Sequence, residues 1–248
     1  MFHKFCAFIL FVMVFGNLPA QELALPTNYE NGSNLNVIYR HDVSAQMYLT
    51  GRGLGFTFHQ GRHLTSTSRS YYEVDIKGLH HPKQVKLTGE APTRNRFVYG
   101  KLNSVMVIGG CLGMQKVLHA KADNKAIEVR FAYSLGPEVA IAKPYYIQVE
   151  KKVDPIKFDN ESFTPSIDRV LGRGPFNKGM TELKYYPGIN GKFNISFEYA
   201  PYTNLIRALE TGISIDLFPK ALPIMARNPA ENVIITLRIG FVFGTKWY

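Results

Sequence analysis

The chain has 248 residues and is short of several things at once. It carries 2 cysteines, Cys6 in the apolar N-terminal stretch and Cys111 far downstream. A disulfide framework and a cysteine-based metal cluster are both excluded if the N-terminal stretch is removed. Long hydrophobic runs are also missing. The run from Phe5 to Phe15 falls short of the ~20 residues a membrane-spanning helix needs. Helical periodicity is scarce throughout. Acids are outnumbered, with Asp+Glu at 19 against Lys+Arg at 29, a formal net charge of +10. That balance suits an anionic surface.

The start of the chain, "MFHKFCAFILFVMVFGNLPAQE", reads as a secretory signal peptide. It has a short basic start at His3 and Lys4, the apolar run, and a cleavage site after Ala20. The expected division is a signal peptide over 1–20, a periplasmic segment over 21–34 and a β-domain over 35–248. Export makes nucleic acid an unsuitable partner for the basic excess.

What the chain has in quantity is period-two alternation. Eight long strands are expected: Val37–Thr50, Leu54–His59, Tyr71–Leu79, one within Lys101–Val117 where alternation is poor, Ala126–Ala142, Lys192–Tyr199, Leu205–Leu217 and Asn232–Trp247. Several reach the ~9–11 residues a tilted strand needs to cross a bilayer. One face of each is apolar and aromatic, as in Tyr72, Val74 and Ile76, or Phe131, Tyr133 and Leu135.

The other faces carry a nearly balanced set of charges: Arg40, Asp42, Glu73, Asp75, Lys77, Glu128, Arg130, Lys192, Glu198, Glu210, Asp216 and Arg238, with Lys246 at the end. In a soluble sandwich such a face is simply solvated. In an eight-stranded barrel the interior is only wide enough for side chains to fill it, so the charges must neutralise one another. Tyrosines flank the strands (Tyr39, Tyr71, Tyr72, Tyr133, Tyr145, Tyr146, Tyr185, Tyr186, Tyr199, Tyr202), as interfacial girdles do. Long connections over 143–191 and 219–232 fall on one side, and short turns on the other. The expected fold is all-β: a closed eight-stranded antiparallel transmembrane β-barrel with one short helix in a long extracellular loop. That helix is expected within Thr164–Gly179, with Thr164 as N-cap, Pro165 in the first turn and Gly172 as the stop. The loop holding it either lids the barrel mouth or docks a partner.

The chain ends on "NVIITLRIGFVFGTKWY", an alternating strand finished by aromatics. In a closed barrel the last strand pairs with the first and removes the sheet edge. Four stretches, "YGKLNS", "GRGPFNKG", "KYYPGINGKFNISFEY" and "LPIMA", resemble small outer-membrane β-barrel proteins of the Bacteroidota type. The resemblance implies residence in the cell outer membrane and no particular activity. It also implies that Phe241, Phe243, Trp247 and Tyr248 form a signal for the outer-membrane assembly machinery.

Motifs of chemistry are weak. "GRGLG" at Gly51 lacks the helix and spacing of a nucleotide loop and reads as a strand turn. His80 and His81 are adjacent, so on a strand they would point to opposite faces and make a poor metal pair. Ser66, Ser68, His59, His63, His80 and His81 fit no nucleophile–base pattern. Arg62, Arg69, Lys83, Lys86, Arg94, Arg96, Lys116, Lys121, Lys125, Lys151, Lys152 and Lys157 are read as lying mostly outside the strands, where outer-membrane lipid headgroups are the natural partner. No cofactor, metal site or catalytic residue is expected. The leading reading is a non-enzymatic scaffold or accessory subunit that binds other outer-membrane proteins. A lipid- or peptide-modifying enzyme and a narrow pore stand as alternatives.

Overall fold

The computed structural model describes residues 40–89, 95–121, 126–150, 154–157, 170–199 and 204–247. The expected signal peptide and periplasmic segment, Tyr248 and most of the expected helix lie outside the described residues.

Thirteen strands are formed among the described residues. They are β1 (His41–Thr50), β2 (Gly53–His63), β3 (Ser68–Leu79), β4 (Lys86–Thr88), β5 (Arg96–Val98), β6 (Asn103–His119), β7 (Glu128–Pro144), β8 (Tyr146–Val149), β9 (Ile156–Lys157), β10 (Val170–Arg173), β11 (Lys184–Glu198), β12 (Leu205–Leu222) and β13 (Glu231–Trp247). Eight of them close into an antiparallel barrel in the order β1, β13, β12, β11, β7, β6, β3, β2. The seam joins the two ends of the sheet, with His41 opposite Trp247 and Thr50 opposite Arg238. Closure leaves the wall no free edge.

Period-two alternation sets what each face sees. Met47, Phe56, Ile76, Leu112, Leu135, Phe193, Leu237 and Phe241 all point outward and are exposed, Leu112 at 74% and Leu237 at 71%. A belt this apolar is not stable against water and requires hydrocarbon around it. Together with the closed barrel, it gives the fold of outer-membrane-type proteins, which cross the membrane with strands.

β6 alternates poorly in sequence because its inward face is built from small residues. Gly113 faces the Tyr71 ring so closely that an added Cβ would lie 2.5 Å from it. Gly55 on β2 makes the same room for Tyr48, at 2.2 Å. Two inward tyrosines thus require glycine at the paired position of the neighbouring strand, which erases the large-small contrast that marks a strand.

Several strands run further than expected. β11 begins at Lys184 and β12 ends at Leu222. β13 continues past its pairing with Thr50 as far as Glu231, which ion-pairs Arg52 of the β1–β2 turn. The rim carrying His41 and Trp247 is the near rim, and the rim carrying the long connections is the far rim. At the far rim β4 pairs with β5, and β10, β8 and β9 form a three-stranded sheet. Phe97, Tyr145, Ile147, Val149, Val170 and Ala226 pack as a small apolar core there.

The expected helix is corrected at its end. Val170–Gly172 is strand, within β10, and no helix occurs among the described residues. Val170 is fully buried in the small core, and Gly172 adopts φ 150° with Asn95 against its backbone. Burial of a β-branched residue in a sheet outweighs the stop signal that Gly172 offers to a helix.

Candidate functional site

The lumen is the candidate site, and it is filled in layers. Nearest the near rim, Asp42 ion-pairs with Arg69, and His63 Nε2 lies 3.6 Å from Asp42. On the same layer Arg130 binds Glu128 at 2.5 Å and Glu198 at 2.7 Å. Glu198 also meets Lys246 at 2.9 Å and Lys121 at 3.7 Å.

The middle layer is centred on Lys192. Its ammonium, fully buried, sits 2.8 Å from Glu73 and 3.4 Å from Asp75. Glu73 further accepts a hydrogen bond from Ser134 Oγ at 3.0 Å and meets His59 Nε2 at 2.9 Å. Asp75 accepts from Tyr48 Oη at 2.8 Å and from Thr57 Oγ1 at 2.6 Å. The Arg238 guanidinium lies 3.9 Å from the Tyr48 ring centroid and donates to Gln46 Oε1 at 3.2 Å. Gln46 in turn donates to Glu210 at 3.1 Å.

Above this, Lys77 bridges Asp216 at 2.6 Å and Glu138 at 3.4 Å. Asn190 also donates to Asp216 and faces Cys111 Sγ at 3.6 Å. Towards the far rim the filling changes character. Leu79, Val107, Ala140, Tyr186, Phe218, Leu222, Ile224 and Ile234 form an apolar plug. The segment after β12 supplies part of it by folding back. Leu102 N–H donates to Ile224 O at 2.9 Å, Ala226 N–H to Gly100 O at 2.7 Å, and Lys101 bridges to Met225. The apolar seal is therefore closed by the 223–227 connection. The described parts of 145–183 build the small sheet outside it.

Little space remains. A void of about 10 Å³, room for a single water, lies between Arg69, Arg130, Glu198 and Glu210. A larger hollow of about 550 Å³, lined by Arg62, Tyr72, Leu112, Met114 and Tyr133, sits on the outer wall.

The structure brings together Asp42, Glu73, Asp75, Lys77, Glu128, Arg130, Lys192, Glu198, Glu210, Asp216 and Arg238, all on inward positions. Arg40 is the exception: it precedes β1 and is exposed at the near rim. Glu210 has no base within ion-pairing distance among the described residues and is held by Gln46. Arg69, placed by sequence with the surface bases, points inward because β3 begins at Ser68 rather than at Tyr71. Arg62 and Lys116 also lie on strands, facing outward. Glu138 was missed, although it falls on the same parity as Glu128 and Arg130 and lies within the expected range of that strand, which is observed at the same length shifted by two residues. Tyr71, Tyr145 and Tyr186 are buried and do not join the outer aromatic belt, whereas Tyr72, Tyr133, Tyr185, Tyr199 and Trp247 are exposed.

Phe241 and Phe243 face outward on β13, and Trp247 stacks on His41 across the seam with centroids 6.1 Å apart. The serine and histidine residues considered for catalysis are scattered. Ser66, Ser68 and His63 belong to the near rim, His80 and His81 to the far rim, and His59 is locked onto Glu73 inside. Among the described residues no group of histidine, cysteine and carboxylate side chains could hold a metal ion.

These features define a class: a closed eight-stranded transmembrane barrel of the outer-membrane type with a plugged lumen. No family model and no curated protein matches the chain. Among solved structures it is similar to Neisserial surface protein A, with a TM-score of 0.45 and 9% identity over 84% of this chain and 97% of that one. It is also similar to Ail, the attachment invasion locus protein of Yersinia pestis, with a TM-score of 0.42 and 7% identity over 84% of this chain and 99% of that one.

Proposed function

We propose that the chain resides in a bacterial outer membrane and acts there without catalysis, as a scaffold or accessory subunit of a larger assembly. The supporting observation is the sealed lumen: three layers of interleaved opposite charges lie beneath an apolar plug. A pore spaces like charges around open water, whereas here opposite charges interleave at hydrogen-bonding distance. The scattered serine and histidine side chains give no nucleophile–base pair. With both ends of the sheet at the periplasmic side, the far-rim sheets face outward from the cell and offer a docking surface.

Two measurements test this reading. Wild-type protein in planar bilayers should show no steady conductance. Extraction in mild detergent should retain defined outer-membrane partners. Steady ion flow would replace the scaffold with a pore. A monodisperse single chain with no partner under native extraction would remove the accessory role.

A further inference from the structure

A second cluster of charge stands outside the lumen, at the far rim, and no ion pair among the described residues gives it a counter-charge. Lys101, just before β6, is 6% exposed, and no carboxylate among the described residues lies within ion-pairing distance of it. Its ammonium lies 5.5 Å from the Tyr145 ring centroid. The guanidinium of Arg173, on β10, lies 5.9 Å from the same centroid. Arg173 also lies 5.7 Å from the Phe176 ring, to which Lys143 approaches at 3.9 Å while donating to Phe176 O. Lys86, on β4, lies within electrostatic reach of Lys101.

Among the described residues, three acids of the far rim are engaged elsewhere. Glu231 is taken by Arg52, Glu182 by Tyr146 and Lys157, and Asp154 by Lys178. Burial, with Arg173 and Lys86 next in weight, pushes the Lys101 ammonium down to about 8. His80 is pushed down as well, first by burial and then, against a hydrogen bond to Arg52 O, by Lys101 and Lys86. A chain does not gain stability by burying an unpaired cation beside two others. Such a group becomes favourable when an anion enters.

We propose that Lys101, Lys86 and Arg173 form a binding site for a phosphoryl oxyanion. Arg173 supplies a planar fork suited to two oxygens of one phosphate. Lys101 supplies a buried point charge, and Lys86 lies close enough to act on it electrostatically. Tyr145 fixes the floor: its ring faces both Lys101 and Arg173, and its hydroxyl accepts the Val98 N–H at 3.2 Å. Phe176, pinned by Lys143, walls the Arg173 side. The phosphoryl group comes either as free phosphate or as the headgroup of a phosphorylated lipid in the surrounding leaflet.

The test uses the full folded chain in neutral detergent. Inorganic phosphate is titrated calorimetrically, and in a second arm the micelles are doped with a phosphorylated glycolipid or with its dephosphorylated form. Saturable binding in the first arm identifies free phosphate. Binding only in the second arm, and only with the phosphorylated form, identifies the lipid. In either case Lys101→Gln and the exposed Arg173→Gln should each weaken binding at least tenfold, while Lys178→Gln, a base paired with Asp154, leaves it unchanged. Arg173→Gln carries the test if Lys101→Gln fails to fold. Absence of binding in both arms overturns the proposal, and so does binding that Arg173→Gln leaves intact.

Discussion

Replacing Lys192 with methionine is the sharpest perturbation the lumen offers. Methionine keeps most of the length and volume of the side chain and removes only its charge and its donors. Lys192 is fully buried and stands between two buried carboxylates, at 2.8 Å from Glu73 and 3.4 Å from Asp75. Removing one partner of a buried pair costs about 3–5 kcal/mol, because the remaining charge is stranded. Glu73 keeps Ser134 and His59, and Asp75 keeps Tyr48 and Thr57, which holds the cost near the lower end. At about 2 kcal/mol per molar urea, a loss of about 3 kcal/mol lowers the unfolding midpoint by about 1.5 M. The assay is urea unfolding of the protein refolded into vesicles of one lipid composition, followed by heat-modifiable gel mobility. Adding Glu73→Gln to Lys192→Met should recover part of the loss, since it removes one stranded charge. Arg130→Met is the internal comparison and should cost only about 1–2 kcal/mol, because Glu198 retains Lys246 and Lys121. If Lys192→Met unfolds at the wild-type midpoint, or if the double variant is simply additive, the charges are not coupled and the account of the lumen is wrong.

Three further outcomes are expected. Phe218→Ala should hollow the apolar plug and cost about 3–5 kcal/mol, yet planar bilayers should still show no current, because the ion-paired layers beneath remain; sustained current would place the seal in the plug alone. Trp247→Ala removes the ring stacked on His41 across the seam, and should lower the folded amount in the outer membrane more than it lowers synthesis; unchanged membrane levels would refute an assembly role for the closing strand. Lys101, faced by Lys86, Arg173, Tyr145 and His80 with Lys143 beyond, has its proton affinity lowered by folding, so its charged form is a cost that is fully present below about pH 8 and vanishes as pH rises through the ordinary value of 10.5. Stability without phosphate should therefore rise across that window, and phosphate affinity should fall across it; identical profiles for wild type and Lys101→Gln would contradict the placement of this group.

The barrel itself was legible in the order of residues. Alternation has a period of two whatever the surroundings, so the apolar stripe of β13 and the Glu73–Asp75–Lys77 stripe of β3 read directly as two faces of a wall. The same parity assigned most of the lumen charges to one side. It failed at strand ends, where Arg40 and Arg69 changed places, because nothing in the local sequence marks where a strand enters or leaves the sheet. It also weakened in β6, where Gly113 is dictated by Tyr71 on a different strand.

Only the closed tertiary structure decided what fills the barrel. Whether Lys192 meets Glu73, and whether Glu210 meets a base or Gln46, depends on the stagger between distant strands rather than on any spacing along the chain. The apolar plug joins residues from six barrel strands and the 223–227 connection, each of which alone reads as an ordinary strand end or loop. Alternation tells which face a side chain takes. Height along the axis, which sets its partner, is determined only once the sheet has closed.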